Sequence, residues 1–197
     1  MEVKKNNFLK NSLMFLLSIP LGYSFYWFIS LKVINAIYYI DTLSKGLFLC
    51  FCHIFLAYFL LKIIFNMKVY QYEKIILIIS YFILMFLSFF DRVYLGDRII
   101  NLNPFDIINT IYNDGIMTLL LNIVIFCPFY TAMRWIKREA NIKFTFILFF
   151  LFAISIEIVQ YFTMSGIFDV IDILLYIIGY FIGVLIYKFI FFEGEYR

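Results

Sequence analysis

Six long apolar runs separated by short polar links organise this chain, at residues 11–31, 46–66, 75–90, 116–134, 144–163 and 169–191. A helix needs about 20 residues to cross the hydrocarbon of a bilayer, with some latitude for tilt. The third run is the shortest of the six. Pro20 and Pro128 fall inside the first and fourth runs, where membrane helices tolerate proline as a kink. Lys62 sits near the end of the second run, so its ammonium is expected to snorkel to the interface. The pattern predicts an all-α polytopic membrane bundle of about six transmembrane helices. The basic, then apolar, amino terminus is built like a signal sequence. It lacks a small-x-small cleavage site, so it reads as an uncleaved first span.

The longest polar link, DRVYLGDRIINLNPFDIINTIYNDG at residues 91–115, has a pattern of its own. Asn103-Pro104 is a helix start, with Asn103 as cap and Pro104 in the first turn. Phe105, Ile108, Ile111 and Tyr112 then recur at helical spacing among Asp106, Asn109, Thr110 and Asn113. Asp114-Gly115 stops the helix. About ten residues cannot cross a bilayer, so an interfacial or re-entrant helix between the third and fourth spans is expected.

Composition makes lipid the solvent. Of 197 residues, 65% are hydrophobic and only 15% charged, with a mean hydropathy of +0.96. A soluble domain is nearer half apolar and a quarter charged. The 27 Phe and 16 Tyr suit lipid-facing surfaces and interfacial belts. The basic residues are dispersed, which argues against a nucleic-acid partner. Their distribution orients the chain: Lys32, Lys45, Arg92 and Arg98 fall on one side, and the other twelve of the 16 Lys and Arg on the opposite side. The positive-inside rule then puts both termini in the cytoplasm. Cys50 and His53 share a helix face, but two ligands are too few for a metal site. His53 is expected to be a hydrogen-bonded packing residue. No cofactor or metal motif is present in the sequence.

Candidate chemistry gathers in SIEIVQYFTMSGIFDVID, residues 155–172. Glu157 lies about 9 Å below the outer end of span five, and Gln160 shares its face. The link TMSG is short, so span six must return beside span five, with Asp169 and Asp172 in its first turn. Asn122 lies at a similar depth on span four. Asp169, Asp172, Tyr176, Gly179 and Gly183 line one face of span six, and Gly179-x-x-x-Gly183 lets helices approach closely. That face is expected to pack inward. Asp169 and Asp172 could serve the helix start and its dipole, while carboxylates embedded in a membrane usually mark function.

Arg98-Ile-Ile-Asn101-Leu-Asn103-Pro104-Phe105, LLLNIVIFCPF around Asn122 and Pro128, Ser155-Ile-Glu157-Ile-Val-Gln160, Phe168-Asp169-Val-Ile-Asp172, and Gly179 with Gly183 follow one another in an order that resembles the VanZ-like family of bacterial membrane proteins. The motifs cover roughly residues 98–183, which suggests a division into helices one to three (1–97) and a VanZ-like region (98–197). The chain departs from the family pattern at Gly166, where a basic residue is usual, and at Tyr176, where asparagine is usual. The resemblance implies an envelope protein that reduces susceptibility to teicoplanin-type glycopeptides, with the lipid bilayer and a glycopeptide or lipid-linked cell-wall precursor as partners. Two other classes compete. In a membrane enzyme, Glu157 and Asp172 would form an acid–base pair, with Gln160 beside them completing the catalytic set, and Arg98 and Arg92 would bind an anionic group. In a binding or docking protein, Arg98, Asn101, Asn103, Asn122 and Asp169 would hold a ligand without chemistry. A proton-relay transporter is disfavoured, because the chain has no detectable internal repeat.

Overall fold

The computed structural model describes residues 2–34, 43–90, 96–108 and 116–191. Arg92, Asn109 to Asn113 and the expected helix stop at Asp114-Gly115 lie outside the described residues. The described chain is helical apart from short turns and links and two strands of two residues each. It divides into two compact units, Met1–Phe86 and Leu87–Arg197.

In the first unit, α1 (Glu2–Phe25) carries Pro20 inside it, and the helix widens to i→i+5 bonding over Tyr26–Ile34. Proline removes one backbone donor, and Ser24 Oγ donates back to the Pro20 carbonyl at 2.8 Å. Gly22 lets α1 lie directly on the backbone of Ile54 in α2 (Leu43–Ile64), where any Cβ would collide. His53 Nδ1 donates to the Leu49 carbonyl at 2.7 Å, which fixes its tautomer. The ring is edge-on to Tyr26 at 6.2 Å. His53 is thus the hydrogen-bonded packing residue that the sequence suggests.

The α2–α3 turn is built from defined caps. Asn66 adopts a left-handed φ of 51°, and Met67 N–H donates to the Lys62 carbonyl at 2.8 Å, which closes α2 in a Schellman-type stop. At the start of α3 (Gln71–Phe90), Glu73 Oε2 accepts from the Tyr70 backbone N–H at 2.7 Å, as in the second half of a capping box. Lys62 corrects an expectation here. It does not snorkel but is wholly buried, with Nζ 2.8 Å from each oxygen of Glu73. A carboxylate within reach on the next helix offsets desolvation, which water at the interface would otherwise have to do.

In the second unit the chain runs through β1 (Ile100–Asn101), a 3-10 turn (Pro104–Asp106), α4 (Ile116–Val124), α5 (Cys127–Ile136), α6 (Ile142–Thr163), β2 (Phe168–Asp169) and α7 (Val170–Phe191). The fourth expected span is interrupted: α4 ends at Val124, Ile125 and Phe126 form a turn, and Pro128 opens α5. Proline suits a first helical turn because its missing N–H is not needed there. Asn141 caps α6 by accepting from Phe144 N–H at 2.7 Å, and Met164, with φ of 54°, ends it. The tight link returns α7 antiparallel to α6 along stacked rings, with Phe149 and Tyr180 centroids 4.7 Å apart and Phe146 and Phe181 5.5 Å apart.

The inward face of α7 is the expected glycine stripe. A Cβ on Gly179 would overlap the Ile123 carbonyl, and one on Gly183 the Cys127 carbonyl. The small residues therefore seat α7 on both sides of the α4–α5 interruption. Among the described residues, four stretches are long and apolar enough to cross a membrane: Leu9–Ile29, Leu119–Ile136, Ile142–Thr163 and Val170–Phe189. Leu49–Ile64 is a shorter apolar stretch. Outward residues such as Phe162, Leu185 and Phe189 are exposed, Phe189 at 85%. Between helices surrounded by lipid, close packing and hydrogen bonds supply cohesion, because lipid tails are as apolar as the side chains they replace.

Candidate functional site

Glu157, on the inward face of α6, has no exposed surface. Its Oε1 accepts from the Tyr176 hydroxyl at 2.9 Å, and its Oε2 accepts from the Asp169 backbone N–H at 3.2 Å. One bond reaches the mouth of α7 and the other its second turn. The carboxylate is thus held by the second turn of α7 and by the residue that leads into it, with backbone N–H groups at that helix start favouring negative charge. The Tyr176 ring is buried against Phe126, at 4.4 Å, and edge-on to Phe89, at 5.5 Å. The hydroxyl is consequently fixed in direction.

Around Glu157 the other polar residues are similarly committed. Gln160, 1% exposed, donates from Nε2 to the Phe89 carbonyl at 2.9 Å. Asn122, near the end of α4, donates to Asp172 Oδ1 at 2.6 Å, a short charge-assisted bond. Asp169 does two things. Its Oδ1 accepts from Ile171 N–H at 2.8 Å, and its Oδ2 accepts from Asn101 Nδ2 at 3.2 Å. Asn101 belongs to β1, which pairs in parallel with β2 in the register Ile100 to Phe168 and Asn101 to Asp169. The 98–108 segment is therefore stitched to the start of α7 by backbone and side chain together.

Not every expected residue enters the cluster in the same way. Asn103 caps the 3-10 turn as the sequence implies: its Oδ1 accepts from Phe105 N–H and its amide donates to Asp106, at 3.1 and 3.0 Å. Arg98 is exposed and lies over the rings of Tyr161 and Phe162, 6.0 and 5.8 Å from their centroids. Glu157 and Asp172 are each bonded to other members of the cluster, and Glu157 holds Asp169 and Tyr176, the two residues that flank Asp172 on the α7 stripe.

Tyr176 was absent from the set of site residues named from the sequence, although it stands on the same stripe, one turn beyond Asp172. Gly166 is closely packed at the same corner. A Cβ there would lie 3.1 Å from Gln160 Cδ, so a larger residue would press on the side chain that reaches Phe89. Among the described residues, no group of three or more His, Cys, Asp or Glu is arranged to hold a metal ion. The cluster offers fixed carboxylates and amides: chemistry for hydrogen bonding, for stabilising positive charge, and for proton exchange where a carboxylate meets a ligand.

The family model described as VanZ/LLP1 matches residues 54–192. The match begins well before residue 98, so it takes in the end of α2 and all of α3, which the sequence motifs left outside. No curated protein and no solved structure matches the chain.

Proposed function

Since the chain belongs to the VanZ/LLP1 family, and is a membrane protein by that membership and by its long apolar helices, we propose that it acts in the bacterial cell envelope to reduce susceptibility to teicoplanin-type glycopeptides. In this reading both termini are cytoplasmic, the helices make several passes, and the cluster of Glu157, Gln160, Asn122, Asp169, Asp172 and Asn101 faces outward. The observation that carries it is the fully buried Glu157, one oxygen held by Tyr176 of α7 and the other by the N–H of Asp169 just before that helix. An embedded carboxylate is costly and is usually kept for function. The outer headgroup level is where a glycopeptide meets lipid-linked cell-wall precursors, and Arg98, Asn101 and Asn103 lie on the segment joined to α7 there.

A second reading, a membrane enzyme acting on a lipid-linked or anionic substrate, is favoured by one observation. Asp172 sits on the stripe between the two residues that hold Glu157, so two carboxylates share one corner. Deletion and complementation on a glycopeptide panel test both. Glu157→Gln preserves size and one acceptor but removes ionisation. It is expected to abolish complementation while the protein accumulates normally in the membrane. Full resistance from that variant would remove Glu157 from either mechanism.

A further inference from the structure

The first unit holds a second buried ionic group, far in sequence from the cluster above. Lys62 is wholly buried and Glu73 is 2% exposed. Two bonds of 2.8 Å join them. The Tyr58 hydroxyl donates to Glu73 Oε1 at 2.8 Å, and the Tyr70 N–H donates to Oε2 at 2.7 Å. The ammonium also faces the rings of Tyr58 and Tyr70, 5.3 and 4.8 Å from their centroids. Every face of both charges is therefore met by an opposite charge, a donor or a π-system.

We propose that Lys62, Glu73, Tyr58 and Tyr70 form a charge-neutral clasp that makes α2 and α3 a single unit of membrane insertion and folding. Three features point to this. First, α2 and α3 have few close backbone approaches, in contrast to α1 and α2, so long side chains carry the connection. Second, the clasp shares atoms with the turn itself. The Lys62 carbonyl closes the end of α2, and the Glu73 carboxylate caps the start of α3. Third, the face of α3 that bears Glu73 also bears Ser80, and both Ser80 and Cys52 of α2, whose thiol it neighbours, are buried. The pair thus sets the rotation of α3 against α2 as well as their separation. Alone, each charge would have to be desolvated without compensation or dragged back to the interface. Together they enter as a dipole.

The test uses the full-length protein, read by membrane accumulation and by its unfolding equilibrium in detergent. Lys62→Met and Glu73→Gln are compared singly and combined. Each single change leaves an unmatched buried charge, and is expected to lower the folded-to-unfolded ratio at least about a hundredfold. The double variant removes both charges and is expected to recover to within about tenfold of the parent. If the single variants fail to accumulate, the double decides: accumulation supports the clasp, and failure overturns it. Single variants that behave like the parent, or a double whose loss equals the product of the singles, overturn it as well. Glycopeptide complementation is a separate readout, so the clasp and the proposed function can fail independently.

Discussion

A carboxylate in a membrane helix survives where its surroundings supply what water would. Glu157 has the Tyr176 hydroxyl and the Asp169 N–H; Glu73 has Lys62, Tyr58 and the Tyr70 N–H. The second is neutralised by a lysine, while the two donors to the first named here are a hydroxyl and a backbone amide. Tyr176 is the residue whose contribution separates most cleanly. Tyr176→Phe keeps the ring between Phe126 and Phe89 and removes the hydroxyl that donates to Glu157. A loss of about 1–2 kcal/mol in stability is expected, the scale of one hydrogen bond between membrane helices, measured by unfolding in detergent. No loss at all would mean that Glu157 finds an equal partner without it. Glu157, Gln160 and Asp172 were readable as unusual because polar letters stand out in an apolar run. Their backbone partners were not, since neither an acceptor such as the Phe89 carbonyl nor a donor such as the Asp169 N–H has a letter that announces it.

At the scale of elements, the interruption between α4 and α5 and the glycine stripe of α7 form one arrangement. Pro128 ends the run of backbone donors, Phe126 fills the turn with no exposed surface, and Gly179 and Gly183 bring α7 onto the carbonyls on either side. Asn122 sits just before the turn and reaches Asp172, so the seat of α7 also sets that contact. Gly179→Ala places a methyl group against the Ile123 carbonyl. It should cost about 1–3 kcal/mol through forced separation of the helices, seen as a lower melting midpoint. Tolerance of leucine at this position would show that the approach is not required. The stripe was legible from spacing alone, as was the Asn103 cap. What spacing did not reveal is that Pro128 divides the fourth span into two helices instead of bending one, because a kink and a break share the same sequence signal.

For the whole molecule, long apolar helices and family membership make this a membrane protein, and orientation follows from the proposed cytoplasmic termini. Ile167, exposed in the α6–α7 link, and Lys137, exposed in the α5–α6 link, report on opposite ends of α6. A cysteine at 167 should react with a membrane-impermeant maleimide in intact cells, and one at 137 only after permeabilisation. The reverse pattern would invert the molecule and put the Glu157 cluster on the cytoplasmic side. The same reversal would remove the outer headgroup layer from the proposed function.

Hydropathy and the proline and glycine positions were enough to establish an all-helical membrane chain, its approximate helices and the acidic corner where the last two helices meet. These are properties of the chain against its solvent, and each residue carries its share wherever its neighbours lie. Pairing is different. Lys62 chose Glu73 over the interface, Arg98 lies over Tyr161 and Phe162, and Glu157 is held by a tyrosine and a backbone amide. Each of those outcomes depends on which helix face meets which, over distances of a few ångströms that no spacing along one helix can specify.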